Sequence, residues 1–429
     1  VEAVAVQNSK IIDVGSAEIL STSYPDADVV LDYQDHVIVP GFIEHHIHPF
    51  LAAVTMNSEI IAIDDWVLQE KISKGVKNRK DYLNRLSEVE ANHPSDQPLV
   101  SWGFHHYFHG RLTKNDLDNI SMIRPIIVVH RSFHEFILNT PAMKLLGISR
   151  NAFPDLEEEK HLVNFEEGHF SERGAIVVLP NLMAVLAAPK KLILGLQKTK
   201  DYIHANGITV IGNPGSMYSQ EIQMAKNYTL GSLDTPFESY FFPSGLNLSE
   251  QFDLSEILDA AKEQTTWGAG KVQFLPNHIK LFTDGAMYSQ NMMMREGYID
   301  NHQGSWLMDS KNYKELFKLF WDANYQIHVH QNGDAALDRL LNNLEENLIN
   351  NPRQDHRTTV VHFGYSAKDQ LKRMKDLGVV VSANPYYVTA LSDLYSRQGV
   401  GYERSQEMVR LGDVVRENIV VSLHSALSN

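Results

Sequence analysis

Apolar residues along this chain recur in two periods, and stretches of the two alternate. Short runs rich in β-branched and aromatic residues read as strands at Phe42–His48, Ile208–Ile211, Phe237–Phe242, His278–Phe282, Tyr325–His330, Thr358–His362, Val379–Ser382 and Ile419–Leu423. Segments of helical spacing separate several of them. Ala335–Leu348 sets Ala336, Leu337, Leu340, Leu341, Leu344 and Leu348 on one stripe, and Lys368–Leu377 is a second such segment. Repeated strand–helix alternation predicts an α/β fold, a (β/α)8 TIM barrel.

Two regions depart from that rhythm. In residues 1–40, Ala3–Val6, Lys10–Gly15, Val29–Leu31 and His36–Val39 have the alternation and β-branching of strands, which predicts part of a small β-sandwich domain. The interval from about Leu51 to Gly207 is too long for an ordinary βα loop and carries strands and helices of its own. It reads as an inserted subdomain, residues 61–199, leaving 41–60 and 200–429 to the barrel. An insertion after a barrel strand projects from the catalytic face, so its residues are expected to cover or line the pocket.

Composition narrows the class. With 43% hydrophobic and 21% charged residues in 429, the chain can bury a large core and more than one domain. A net charge of -15 disfavours nucleic acid, whose non-specific capture needs clustered cations. The absence of cysteine excludes disulfides and thiolate ligands. No run reaches the roughly 18 apolar residues of a membrane span, and Val1–Gly15 lacks a signal-peptide layout. A soluble protein with no membrane partner is expected, the cytoplasm being favoured. Base rates alone allow a homo-oligomer.

The chemistry concentrates at strand ends. In Pro40-Gly41-Phe42-Ile43-Glu44-His45-His46-Ile47-His48-Pro49, residues two apart on an extended strand face one side, so His46 and His48 can present two imidazoles to one ion. His328 and His330 share a face in the same way, and the spacing alone does not choose between them. The cluster His105, His106 and His109 falls on a predicted loop and reads as solvated, and the acidic run Asp155–Glu159 reads as an exposed face.

These motifs, in this order, resemble the amidohydrolase superfamily and within it the branch labelled AepA-like or YtcJ-like. The resemblance rests on the Pro40–Pro49 opening, on Lys280-Leu281-Phe282-Thr283-Asp284-Gly285, on His328-Val329-His330-Gln331-Asn332-Gly333-Asp334, and on Val360-Val361-His362 before Leu377-Gly378-Val379. It implies that His46, His48, His330 and His362 bind one or two divalent metals, zinc foremost. It also implies that Lys280, carboxylated by carbon dioxide, bridges them. The metal would then activate water to attack a small-molecule substrate. In the insertion, Arg131-Ser132-Phe133-His134 resembles the branch's inserted region, which offers His134 to substrate.

One element departs from the pattern. An aspartate is expected in a Leu-His-Ser-Asp run after the eighth strand, whereas this chain reads Leu423-His424-Ser425-Ala426. Three readings compete: following residues are missing from this chain, the aspartate has been replaced, or the protein is a non-catalytic homologue. The first is favoured, since the strands that would complete the small β-domain are missing too. If the chain is continuous, Asp284 and Asp334 are the nearest candidate bases, and Asp334 serves equally as a helix cap. The expected function is hydrolysis of an amide-like or other C–N bond by metal-activated water. The alternatives are a metal-binding or regulatory homologue without catalysis, and an ester or phosphoester substrate.

Overall fold

The computed structural model describes residues 2–94, 96–152 and 162–425. Its central strands are β1 (Phe42–Glu44), β2 (Ile208–Ser216), β3 (Glu238–Pro243), β4 (His278–Phe282), β5 (Gln326–Gln331), β6 (Thr359–His362), β7 (Val380–Ala383) and β8 (Val421–Leu423). They form two parallel arcs. β1, β2 and β3 pair in order with Val272–Phe274 at the outer edge, and β4 to β8 pair in order. A parallel bridge between Ser244 and Lys280 joins the arcs on one side. On the other, Ser425 donates its amide to Glu44 at 2.8 Å and the Ser422 hydroxyl lies 3.2 Å from His45 Nε2. The α/β architecture is consistent with a TIM-type barrel.

Alternation along each strand sorts chemistry from packing. Ile279 and Leu281 of β4, Ile327 and Val329 of β5, and Val360 of β6 join the largest buried apolar cluster, against Leu337, Leu340, Leu341 and Leu344 of the helix Asp334–Asn350. The intervening residues Lys280, His328 and His330 face the other way, because successive side chains on a strand point to opposite faces.

The insertion carries its own six-stranded sheet, in the order Val163–Asn164, His169–Ser171, Glu135–Leu138, Ile126–His130, Leu99–Phe104 and Glu59–Ile60. It lies across the strand ends. The buried Arg131 guanidinium donates to Asp64 at 3.0 Å and to the Tyr386 hydroxyl at 3.1 Å, beyond β7. Glu172 accepts from the Ala286 amide at 3.2 Å and the Ser289 hydroxyl at 3.0 Å, in the segment after β4.

The N-terminal region differs from expectation. Ala3–Gln7 and Lys10–Gly15 form a two-stranded antiparallel sheet and Ala17–Ser23 is a helix, but Val29–Leu31 and His36–Val39 are not strands, and no sandwich is built there among the described residues. A strand exists only with a hydrogen-bonded neighbour, and these apolar runs have none among the described residues; Val29, Val30, Leu31 and Val37 are exposed. Among the described residues no single helix is long and apolar enough to cross a membrane.

Candidate metal centre

The strand ends gather a histidine cluster around one buried lysine. His46 and His48, just beyond β1, approach with their Nε2 atoms 3.3 Å apart. The His46 ring centroid lies 4.6 Å from those of both His362 and His424, and His330 lies 4.6 Å from His362. One nitrogen each of His46, His362 and His424 falls within 4.8 Å of the others, close enough to share one ion after small adjustments. His362 reaches the group from a left-handed backbone, φ 75°, an uncommon conformation for a residue with a side chain.

Outer hydrogen bonds select which nitrogen remains free. His48 Nδ1 donates to Asn213 Oδ1 at 3.0 Å on β2, leaving Nε2. Ser382 of β7 sits 2.9 Å from His424 Nδ1 and 2.8 Å from His45 Nε2, bridging the two rings. Asn332 Nδ2 lies 2.9 Å from His330 Nε2, a donation that puts the ring proton on Nδ1, so His330 ligates an ion only when this contact rearranges. Partners of this kind set the tautomer and orientation of ligating histidines. Beneath β1, buried Glu44 accepts from the amides of His46 at 3.1 Å and Ser425 at 2.8 Å, tying the two ends of the strand series together.

Burial keeps this group uncharged. Desolvation pushes His46 and His330 well below the usual imidazole range, and His362 falls with them. His48 is lowered to about 4, again chiefly by burial. Lys280 is 1% exposed, its Nζ has no hydrogen-bond partner, and burial alone drives its pKa far down. A neutral buried amine beside neutral imidazoles is a nucleophile for carbon dioxide, and the orphaned Nζ fits conversion to an anionic carbamate.

The cluster opens into a cavity of about 230 Å³ whose lining includes His46, His48, Lys280, His330 and His362. Its apolar lining comes from the insertion and the helix after β1, with Phe50, Val54, Phe133, Phe136, Ile176 and Leu179. His134 also lines it. Its Nδ1 pairs with Glu172 Oε2 at 2.7 Å and its ring stacks 5.9 Å from His330. Burial opposes a charge on His134, yet the Glu172 carboxylate outweighs it and raises the imidazole pKa.

The structure therefore brings together His46, His48, Lys280, His330, His362 and His134. It separates His328 from them, with its Nε2 3.0 Å from His278 Nδ1 and its ring against Phe242. Asp284 does not line the cavity. Burial pushes its carboxyl up to about 7 while it accepts from the Gly333, Met293 and Asn332 amides and the Thr283 hydroxyl, a role in holding the strand ends. Asp334, at the first turn of its helix, accepts from the Arg295 amide at 2.8 Å, outside the cavity. Ala426 and the run Asp155–Glu159 lie outside the described residues. His105 and His109 are buried, not solvated as a loop position predicts, since strand Leu99–Phe104 and helix His106–His109 pack them under the insertion. Sequence reasoning missed His424, Glu172 and Lys226. His424 had a signal, an apolar strand ending in histidine; the other two are brought to the cavity only by folding.

Comparison with known proteins identifies the family and a likeness of fold. The model of the amidohydrolase family matches residues 29–425. The exoenzymes regulatory protein AepA of Pectobacterium carotovorum is 23% identical, covering 97% of this chain and 88% of its own. The N-substituted formamide deformylase of Arthrobacter pascens is 24% identical, over 90% of this chain and 69% of its own. A solved structure of an uncharacterized metal-dependent hydrolase from Pyrococcus horikoshii superposes with a TM-score of 0.68 at 16% identity, covering 98% of this chain and 78% of the other, a likeness of fold.

Proposed function

Since the chain belongs to the amidohydrolase family, we propose that it is a metal-dependent hydrolase cleaving an amide-like C–N bond in a small molecule with an apolar substituent. The observation that carries this is a single cavity lined both by neutral nitrogen donors with Lys280 and by the apolar side chains of Phe50, Val54, Phe133 and Leu179. His46, His48, His330 and His362 would hold one or two divalent ions, with His424 within reach and Lys280 as a carbamate bridge. A nitrogen-rich set of neutral imidazoles suits zinc. When bound, such an ion supplies Lewis acidity towards a carbonyl and lowers the pKa of water.

The chain's own groups supply the rest. The apolar wall excludes water and takes up the substituent, fixing the carbonyl end at the histidines. His134, held through Nδ1 by Glu172, keeps a proton on its other ring nitrogen beside the cavity, where it can pass to a departing amine. The strand-and-sheet framework closes as a barrel around these groups, with a barrel body of 41–58 and 200–429 and, as its cover, the insertion, whose sheet takes in Glu59–Ile60. A second reading, metal binding or regulation without turnover, is favoured by Ala426 at the aspartate position and by the regulatory name of a relative.

The test is hydrolysis of N-benzyl and N-methyl formamides by zinc-loaded protein, beside a His46→Ala/His48→Ala variant. Turnover that favours the benzyl compound and vanishes in the variant supports the hydrolase. Bound metal with no turnover of any amide supports the second reading.

A further inference from the structure

The insertion holds a second histidine cluster that shares no residue with the barrel-mouth centre. His105 follows strand Leu99–Phe104, His106 opens the helix His106–His109, and His130 ends strand Ile126–His130, with Phe104 and His130 paired in the parallel register. One ring nitrogen of each lies within 4.8 Å of the other two. His105 Nε2, His106 Nδ1 and His130 Nε2 are all buried without a hydrogen-bond partner, and the whole residues His105 and His130 are 0% exposed. Interior polar atoms are nearly always satisfied. Three imidazoles that each keep a bare nitrogen, and that bring one ring nitrogen apiece within 4.8 Å of one another, fit a shared partner.

A carboxylate completes the group. Glu135 is 4% exposed; its Oε1 stands 3.9 Å from His130 Nε2, while its Oε2 accepts from His169 Nε2 at 2.8 Å. His130 Nδ1 lies 2.8 Å from the Ser132 hydroxyl and accepts from the Ser132 amide at 3.2 Å, which puts the ring proton on Nε2, so ligation through Nε2 requires that proton to leave or move to Nδ1, with the Ser132 hydroxyl positioned to accept from it. His105 Nδ1 accepts from the Tyr107 amide at 3.3 Å, a long contact that is given up when Nε2 ligates. Beside the cluster a cavity of about 450 Å³, lined by His106, Glu135 and His169, provides a route in.

We propose that His105, His106 and His130, with Glu135 as the anionic ligand, bind a zinc-like divalent ion that fastens the strand ends of the insertion. Imidazole-rich donors with one carboxylate fit zinc, cobalt or nickel rather than calcium or magnesium, which take oxygen ligands. The ion would tie together the ends of strands Leu99–Phe104 and Ile126–His130 and the start of Glu135–Leu138, beside the segment that delivers His134 to the cavity.

The experiment is equilibrium dialysis against zinc, then elemental analysis, on four proteins: wild type, His46→Ala/His48→Ala, His106→Ala, and the combination of all three substitutions. The barrel-mouth variant is expected to retain about one zinc per chain, and adding His106→Ala to weaken that retained ion on the order of 10-fold or more. His106 is only partly buried, so its alanine variant leaves the core in place; near-ultraviolet circular dichroism checks this. Cobalt in the barrel-mouth variant should show the absorption bands of a low-symmetry nitrogen–oxygen site, lost with His106→Ala. The proposal is overturned if the barrel-mouth variant holds no zinc, or holds an equivalent that His106→Ala leaves untouched. Neither result bears on whether the barrel-mouth centre hydrolyses amides.

Discussion

Glu172 has φ 47° and ψ -117°, a backbone conformation that costs about 1–3 kcal/mol for a residue with a side chain. Its buried carboxylate offsets that cost by accepting from Ser289 and Ala286 and pairing with His134. In Glu172→Gln the His134 pKa should therefore fall, as read by NMR titration of the imidazole. The sign for stability follows from linkage. His134 is raised above its usual 6.5 in the fold, so its contribution is full below 6.5 and is lost as pH rises through the folded value. Urea melts should show the variant's deficit larger near about pH 5.5 than near about pH 9; an equal deficit would mean the pair carries no charge. Lys280→Met makes the opposite kind of prediction. Replacing a bare buried amine by an isosteric apolar chain should stabilise the chelator-treated protein by about 1–3 kcal/mol in denaturant melts while lowering zinc retention.

Strands place these residues, and one contact between strands is tight enough to test. A Cβ on Gly212 of β2 would lie 2.6 Å from the His45 carbonyl oxygen, next to His46. Gly212→Ala must push β1 away, costing about 1–3 kcal/mol as overpacking does, and should weaken zinc binding as well. A urea midpoint that falls with metal affinity unchanged would show that the push is absorbed elsewhere. At this scale most of the framework was legible. β4 begins and ends where its apolar pattern says, and the helix Asp334–Asn350 extends the predicted Ala335–Leu348 by one or two residues. Val29–Leu31 has the same β-branched content and forms no strand, because local pattern reports suitability for a sheet and says nothing of a neighbour to pair with.

For the molecule as a whole, bound metal and folding should be linked. Zinc at about 100 times its dissociation constant is expected to add about 2.7 kcal/mol, visible as a rise in melting temperature that a chelator reverses. The chelator-treated protein should also be acid-sensitive. His46, His48, His330, His362 and His424 are all pushed below 6.5 in the fold, so the stability they contribute is full above that pH. It is lost as pH falls through their folded values, about 4 for His48. Thermal melts between about pH 7 and pH 4 check this, and a flat profile would place the histidines in water.

By itself the sequence determined the order of strands and helices and the pair His46 and His48, since the periods of strand and helix are written locally. Spacing left His328 and His330 open and the resemblance named His330; the tertiary structure sets His328 against His278, adds His424, and moves Asp284 out of the cavity into a bed of backbone amides. It also set His134 against Glu172, 38 residues away, and buried His105 beside His130. The physical reason is that ligation, burial and pKa depend on groups distant in the chain, and only closure of the fold brings them within a few ångströms of one another.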